Sequence, residues 1–566
     1  RITLIALILV IVTSACILTS FVEESTPEIE ITVPVAADEQ DVTLAQPAEE
    51  VEKESPPPSA QDQTKPAVPL AQQPMSTPLP TAAARAGAAE SADGAEAESS
   101  AIYPAPTAPP PQNNYFEDYG VNPFVDTYED HLSTFALDVD TASYSVARRY
   151  VNDGHIPPAE AVRVEEFVNY FDMDYPTPSN VAFGIYADGA ASPFHNDGSY
   201  ILRFGVQGYE IPAQARKAAT LTFVIDVSGS MAMENRLGLV KDSLQMLVDR
   251  LRPDDTVAIV VYGSNARTVL TPTSGENKNT ILNAIYALRT EGATNAEAGL
   301  RMGYELAYEA HRPNTINRVI LCSDGVANVG NTGPEAILET IRGYVETGIS
   351  LTTVGFGMGN FNDVLMEQLA DNGNGHYAYV DSVDEAEKLF VQNLTSTLQT
   401  IALDAKIQID FNSDVVAYYR LIGYENRDVA DQDFRNDSVD AGEIGAGHSV
   451  TALYAVTLRP GAAGRIATAQ LRWEDPQSHQ VTEINGNFNT WDLASGFGQS
   501  AARYQLAVVA AQYAEILRQS PWAGETSLYQ LADYIYSISA ALPSDADVAE
   551  FANLVNRASQ LQGWGQ

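Results

Sequence analysis

Between residues 219 and about 398, short apolar runs alternate with stretches in which apolar positions recur every three or four residues. An apolar run of four to eight residues bounded by turn residues reads as a buried strand, and the three-four spacing reads as an amphipathic helix. This pattern predicts strands at 221–226, 256–262, 268–271, 318–323, 350–356 and 376–380. It predicts helices at 236–251, 278–288, 295–310, 334–346, 363–370 and 383–398. Strands alternating with helices build a doubly wound, mostly parallel sheet covered on both faces, an α/β fold of Rossmann-like type. Such sheets bind ligands at the carboxyl ends of their strands, where the strand order reverses.

The flanks have different patterns. Residues 128–218 predict a small α+β module, with strands at 133–140, 181–187 and 200–208 and helices at 141–152 and 162–171. In the second helix Val164, Phe167, Val168 and Phe171 share one face. Residues 401–566 predict a C-terminal module of strands (406–411, 415–424, 450–458, 467–473) followed by helices (502–518, 528–538, 548–561). The boundaries thus fall at 128–218, 219–400 and 401–566.

Residues 18–127 lack apolar periodicity. They are acidic at first and then rich in Pro, Ala, Ser and Gln, which predicts a disordered, extended tether. Residues 1–17 form an apolar run after Arg1 that ends in Val12-Thr13-Ser14-Ala15-Cys16. A basic residue, an apolar stretch and small residues before a cut site mark an export signal. The small residues before Cys16 resemble a bacterial lipobox, which predicts a lipoprotein anchored to the membrane at Cys16. An uncleaved anchor and a simple signal peptide are the other readings, and all three place the rest of the chain outside the cytoplasm, in the cell envelope.

Charge narrows the partners. The 566 residues include 32 Lys and Arg against 74 Asp and Glu, a net charge of -42. Phosphate backbones need clustered cations, and none occur, so nucleic acid is excluded as a partner. The chain has two cysteines, one of them in the export segment, so the folded part has no disulfide framework. Cys322 sits in an apolar strand and reads as a small core residue.

The candidate chemistry lies at strand ends. Asp226-Val227-Ser228-Gly229-Ser230 follows the first strand of the α/β segment, Gly292-Ala293-Thr294 precedes a helix, and Ser323-Asp324-Gly325 ends another strand. Their side chains are hard oxygen donors, suited to Mg²⁺, Mn²⁺ or Ca²⁺ rather than zinc. Ser228, Ser230 and Thr294 can offer neutral hydroxyls directly, and Asp226 and Asp324 can ligate directly or through water. The competing reading makes these residues helix caps and turns: Asp226 and Ser228 for the helix that follows, and Thr294 with Glu297 for a capping box.

The three segments, with Thr222-Phe223-Val224-Ile225 ahead of the first and Val319-Ile320-Leu321-Cys322 ahead of the third, resemble the metal-ion-dependent adhesion site of the von Willebrand factor type A family. The resemblance implies direct ligation by Ser228, Ser230 and Thr294, with Asp226 and Asp324 as the two aspartates of the site. It implies a divalent cation, Mg²⁺ foremost, whose open position takes an acidic side chain from a partner protein. Two flanking stretches, Phe135-Ala136-Leu137-Asp138-Val139-Asp140-Thr141 and Tyr419-Arg420-Leu421-Ile422-Gly423-Tyr424-Glu425-Asn426-Arg427, are similar to the modules around this domain in bacterial YfbK-like proteins.

Catalysis has no support in the sequence. There is no His-x-x-x-His pair, no Gly-x-Ser-x-Gly elbow and no phosphate-binding loop. Gly355-Phe356-Gly357-Met358-Gly359 lacks the full dinucleotide fingerprint and reads as a strand-to-helix loop. The expectation is therefore a binding protein with no catalytic residues and no organic cofactor. The alternative is an envelope scaffold in which the metal only stabilises the fold.

Overall fold

Eight consecutive buried residues, Ala219–Asp226, form the strand around which the α/β sheet is built. Burial on both faces explains the consecutive apolar residues Phe223, Val224 and Ile225. The computed structural model describes residues 113–137, 139–325, 334–359, 361–439 and 441–563. The export segment 1–17 and the tether as far as residue 112 lie outside the described residues.

Ahead of the sheet come β1 (Val125–Asp126), β2 (Leu132–Ala136), α1 (Ala142–Asn152), α2 (Val164–Asn169), β3 (Phe183–Ala191) and β4 (Tyr200–Gly208). The α/β domain follows, with β5 (Ala219–Asp226), α3 (Arg236–Arg250), β6 (Thr256–Tyr262), β7 (Ala266–Ser274), α4 (Lys278–Ala287), α5 (Ala296–Glu309) and β8 (Ile316–Ser323). It continues through α6 (Pro334–Val345), β9 (Ser350–Phe356), α7 (Asp363–Asp371), β10 (Tyr377–Val380), α8 (Val383–Glu387) and α9 (Leu394–Leu398). The sheet order is β10-β9-β8-β5-β6-β7. All neighbours are parallel except β7, which runs antiparallel to β6 at the edge.

Side chains of β5 alternate between two cores. Phe223 and Ile225 pack with Val240 and Leu244 of α3 and Ile281 and Ile285 of α4. Val224 packs with Leu300 and Tyr304 of α5, Ile341 of α6 and Met366 of α7. The doubly wound architecture expected from the sequence is therefore present. Cys322 is buried in β8, where burial pushes its thiol up to about 12.

The helix expected at 383–398 is broken. A π turn at Lys388–Gln392 separates α8 from α9. Ala386, Phe390, Leu394 and Leu398 all enter one core at a spacing of four. A regular helix drifts away from that spacing, and the wider turn corrects the drift.

Close contact between α5 and the sheet depends on Gly303. A Cβ there would lie 2.2 Å from Cγ2 of Val224. Gly303→Ala is expected to destabilise by about 1–2 kcal/mol, because overpacking outweighs the gain in helix propensity. Urea unfolding checks this, and an unchanged midpoint would show that the helix simply shifts.

The flanking segments are not two separate modules. After α9 come β11 (Thr400–Phe411), β12 (Val416–Ile422), β13 (Gly442–Gly445), β14 (Ser449–Leu458), β15 (Arg465–Glu474) and β16 (Val481–Asn489). One sheet has the order β1-β12-β14-β4-β3, and the other is β13-β11-β15-β16 with β2 beside β11. Both thus mix strands from before and after the α/β domain. Phe135, Phe204, Ile409, Phe411, Tyr454 and Leu471 fill the sandwich between them.

The outer face of the first sheet carries α1, α2, α10 (Ala502–Leu517), α11 (Leu528–Ala541) and α12 (Ala546–Gly563). Helix α1 is wedged between bodies. Its Tyr144, Ala147 and Val151 face this helical layer, and its Ala142, Val146 and Tyr150 face the α/β domain. Among the described residues, no helix is long and apolar enough to cross a membrane.

Residues 113–127, assigned to the tether from their polar composition, belong to the fold. Tyr115 bridges to Asn362, and its backbone N–H donates to the Phe361 carbonyl at 2.7 Å. Phe124 meets Trp522 edge-on at 5.1 Å, and β1 pairs with β12. Single anchoring residues spaced along a polar background give no periodic signal.

Candidate metal centre

The sheet order reverses between β5 and β8. From β5 the chain moves outward through β6 and β7, then crosses back to β8 on the other side. Asp226 ends β5, and Asp324 follows the last residue of β8. The parallel register places Ile225 opposite Cys322, so the two aspartates leave adjacent strands at the same edge. The sequence-predicted location is thus the one the topology creates.

The first loop is organised by Asp226. Its Oδ1 accepts from the Ser228 backbone N–H at 2.7 Å, and its Oδ2 accepts from the Ser323 hydroxyl at 3.1 Å. The hydroxyls of Ser228 and Ser230 lie 2.9 Å apart. The second loop is tied to the first by two backbone bonds, Gly229 N–H to the Gly292 carbonyl at 3.1 Å and Glu291 N–H to the Val227 carbonyl at 2.5 Å. Gly292 has φ +71, and a Cβ there would fall 2.1 Å from the Ser264 hydroxyl. Only glycine fits that turn, which holds the segment leading to Thr294 against the first loop through Gly292.

Helix capping does not account for these hydroxyls. Asn295, not Thr294, caps α5, accepting from the Ala298 N–H at 3.1 Å. Ser228 precedes a 3₁₀ turn and makes no side-chain cap bond to it. Neither hydroxyl is used in capping.

Electrostatics add two observations. Burial pushes the Asp226 carboxyl up to about 6, and the Asp324 charge adds to this, while hydrogen bonds from Ser228 and Ser323 oppose it. Among the described residues no cation pairs with Asp226. Asp324 does have one: its Oδ2 accepts from Nη1 of Arg236 at 2.7 Å, with both side chains buried. Arg236 also donates from Nη2 to the Met358 carbonyl. Gly357, at φ +84, makes room for this arginine, since a Cβ there would come 2.3 Å from its Nε.

The set fits a hard divalent cation: three hydroxyls and two carboxylates, one of which, Asp226, is buried without a counter-charge among the described residues. Among the described residues no cluster of three or more His, Cys, Asp or Glu occurs, so no softer or all-acidic metal site competes with it.

Sequence reasoning missed Arg236, Ser323's bond to Asp226, and Ser264. Arg236 carried a signal. It opens α3, whose first turn holds no acidic residue, and a cation there opposes the helix dipole. Its position calls for a partner outside the helix.

The fold is that of a von Willebrand factor type A domain protein, and comparison with known proteins agrees. The sequence model of the von Willebrand factor type A domain matches residues 220–392. A further model described as von Willebrand factor matches 110–202, and the C-terminal model of the uncharacterised protein YfbK matches 396–466. The uncharacterised protein YfbK of Escherichia coli K12 is 34% identical over 470 residues, covering 78% of this chain and 80% of that protein. The chain therefore belongs to the YfbK family.

Inter-alpha-trypsin inhibitor heavy chain H3 of Bos taurus is 26% identical over 227 residues. That match covers 38% of this chain and only 23% of the heavy chain. Among solved structures, a von Willebrand factor type A protein from Catenulispora acidiphila is 15% identical, covers 66% of this chain and 89% of its own, and gives a TM-score of 0.40. Domains of this type generally mediate protein–protein interaction, commonly bind a divalent cation and are typically non-enzymatic.

Proposed function

We propose that this protein is an exported, lipid-anchored cell-envelope protein that captures an acidic side chain of a partner protein through a divalent cation, Mg²⁺ foremost. The observation carrying this reading is that Asp226, Ser228 and Ser230 follow β5, Asp324 follows the adjacent β8, and the Gly292 loop that leads to Thr294 is bonded to the first of these loops, with the Ser228 and Thr294 hydroxyls unused as caps. In this reading Ser228, Ser230 and Thr294 hold the ion, and Asp226 and Asp324 hold it directly or through water. The ion supplies an electrophilic open position, and the chain fixes its ligands on a rigid sheet edge.

Titration of Mg²⁺ and Mn²⁺ into the full chain tests it. Saturable binding is expected, weakened more than tenfold by Asp226→Ala, because the buried carboxylate that accepts from Ser228 and Ser323 is lost. Equal binding by parent and variant would remove the assignment. The export signal and the Cys16 anchor rest on residues 1–17, and palmitate labelling of the parent against Cys16→Ser in a bacterial host tests them. If partner capture survives EDTA but not loss of the sandwich strands, the scaffold role replaces adhesion.

A further inference from the structure

Arg236 is the only cation that the described residues place against the proposed ligand set. The arginine is buried, so water does not screen it, and its helix gives it no favourable field. Two features hold the guanidinium in place. Met358 offers its carbonyl to Nη2, and Gly357 leaves open the space that a side chain would fill. The nearest other carboxylate is Glu234, whose Oε2 lies 4.0 Å from Nη2; it is half exposed and also pairs with Arg149 at 3.0 Å. It therefore neutralises Arg236 only weakly.

Charge counting gives the consequence. Asp226 and Asp324 together cancel a divalent cation. With Arg236 beside them, the loaded site keeps one positive charge in a buried setting. We propose that Arg236 is a specificity-determining residue of the site: by pairing with Asp324 it leaves the loaded centre one charge positive. The ion alone is then held less tightly, and an anionic carboxylate is the ligand that completes it. This rests on the metal reading above. It adds to that reading a reason why the chain should take an acidic partner group rather than a neutral one: the anion cancels the remaining charge.

A double-mutant cycle tests the charge term. Mg²⁺ is titrated into the parent, Arg236→Gln, Asp324→Asn and the double variant, with Arg236→Lys as the charge-conserving control. Arg236→Gln is expected to bind Mg²⁺ at least tenfold tighter than the parent, and Arg236→Lys within about twofold of it. Asp324→Asn leaves Arg236 uncompensated and is expected to lose at least tenfold, and most of that loss should return in the double variant. The double variant removes both buried charges together, so the cycle does not depend on Arg236→Gln alone folding well.

Acetate at constant ionic strength is the ligand probe. It should tighten Mg²⁺ binding in the parent, and that gain should vanish in Arg236→Gln. An Arg236→Gln protein that binds Mg²⁺ no tighter than the parent, a double variant that binds as weakly as Asp324→Asn, or an equal acetate gain in both proteins would overturn the role of Arg236 and leave the metal site standing. Absence of saturable Mg²⁺ binding in parent and all variants would overturn the metal reading, and this inference with it.

Discussion

An Arg148→Ala protein is expected to lose about 3–5 kcal/mol of stability, because the change leaves buried carboxylates without their cation. Arg148 lies in α1 with 3% of its side chain exposed. Its Nε and Nη2 meet the two Asp381 oxygens at 2.9 and 2.5 Å, and Nη2 also meets Glu385 at 2.8 Å. Nη1 reaches the Tyr170 hydroxyl at 2.7 Å and Glu550 of α12 at 3.0 Å. The five bonds match the five N–H donors of a guanidinium.

The side chains of Asp381 and Glu385 are only 5% and 9% exposed, so neither can recover its loss through water. Arg148 thus fastens the flanking helices to the α/β domain. Arg301→Ala is the control. Its pair with Glu305 spans 3.7 Å with both side chains more than half exposed, and its loss should cost no more than about 0.5 kcal/mol. Urea unfolding of the two variants should show a large shift for Arg148→Ala and almost none for Arg301→Ala. Equal shifts would mean that α1 is held by its apolar faces alone.

Much of the α/β domain was legible because its strands are buried on both faces. Val257 to Tyr262 and Val319 to Cys322 are wholly buried runs, and such runs announce themselves. The sandwich was harder to read. β16, Val-Thr-Glu-Ile-Asn-Gly-Asn-Phe-Asn, buries only Phe488 and carries no apolar alternation. β13 is four residues long. Pairing of β4 with β14, through contacts such as Phe204 with Ala452, joins segments on opposite sides of the α/β domain. Local pattern cannot encode register between strands so far apart, since one slipped residue would expose the whole inner face.

At the site, the ligand candidates were readable because each sits at a strand or helix end in a fixed order. Their supports were not. Ser323 reads as a strand terminus until the register places it over Asp226. Ser264 gains meaning only when its hydroxyl takes the Ala293 N–H at 2.9 Å. Arg236 and Asp324 are separated by 87 intervening residues, and only the parallel crossover brings them together.

Acidification is expected to loosen the junction between the α/β domain and the sandwich. His376, just before β10, and His448, just before β14, stand with ring centroids 6.2 Å apart and planes at 85°. Burial pushes the His448 imidazole down to about 4, with the buried Arg318 adding to it, and His376 is lowered well below its ordinary range for the same reasons. The charged groups acting on the pair are each other and Arg318, itself opposed by Glu443. The Gly445 N–H donates to His448 Nδ1 at 3.3 Å, and the His376 Nε2 is enclosed without a partner.

The sign follows from proton counting. Between pH 6.5 and about 4 the unfolded chain binds protons that the folded imidazoles refuse. The contribution is complete above pH 6.5 and is lost as the pH falls toward 4. For His448 the loss is at most about 3 kcal/mol, since each tenfold change in proton affinity is worth about 1.4 kcal/mol, and His376 acts in the same direction. Urea midpoints measured from pH 7.5 to 4.5 should fall less steeply in His376→Gln/His448→Gln than in the parent. Parallel profiles would assign the acid sensitivity to the carboxylates and remove the histidine pair from it.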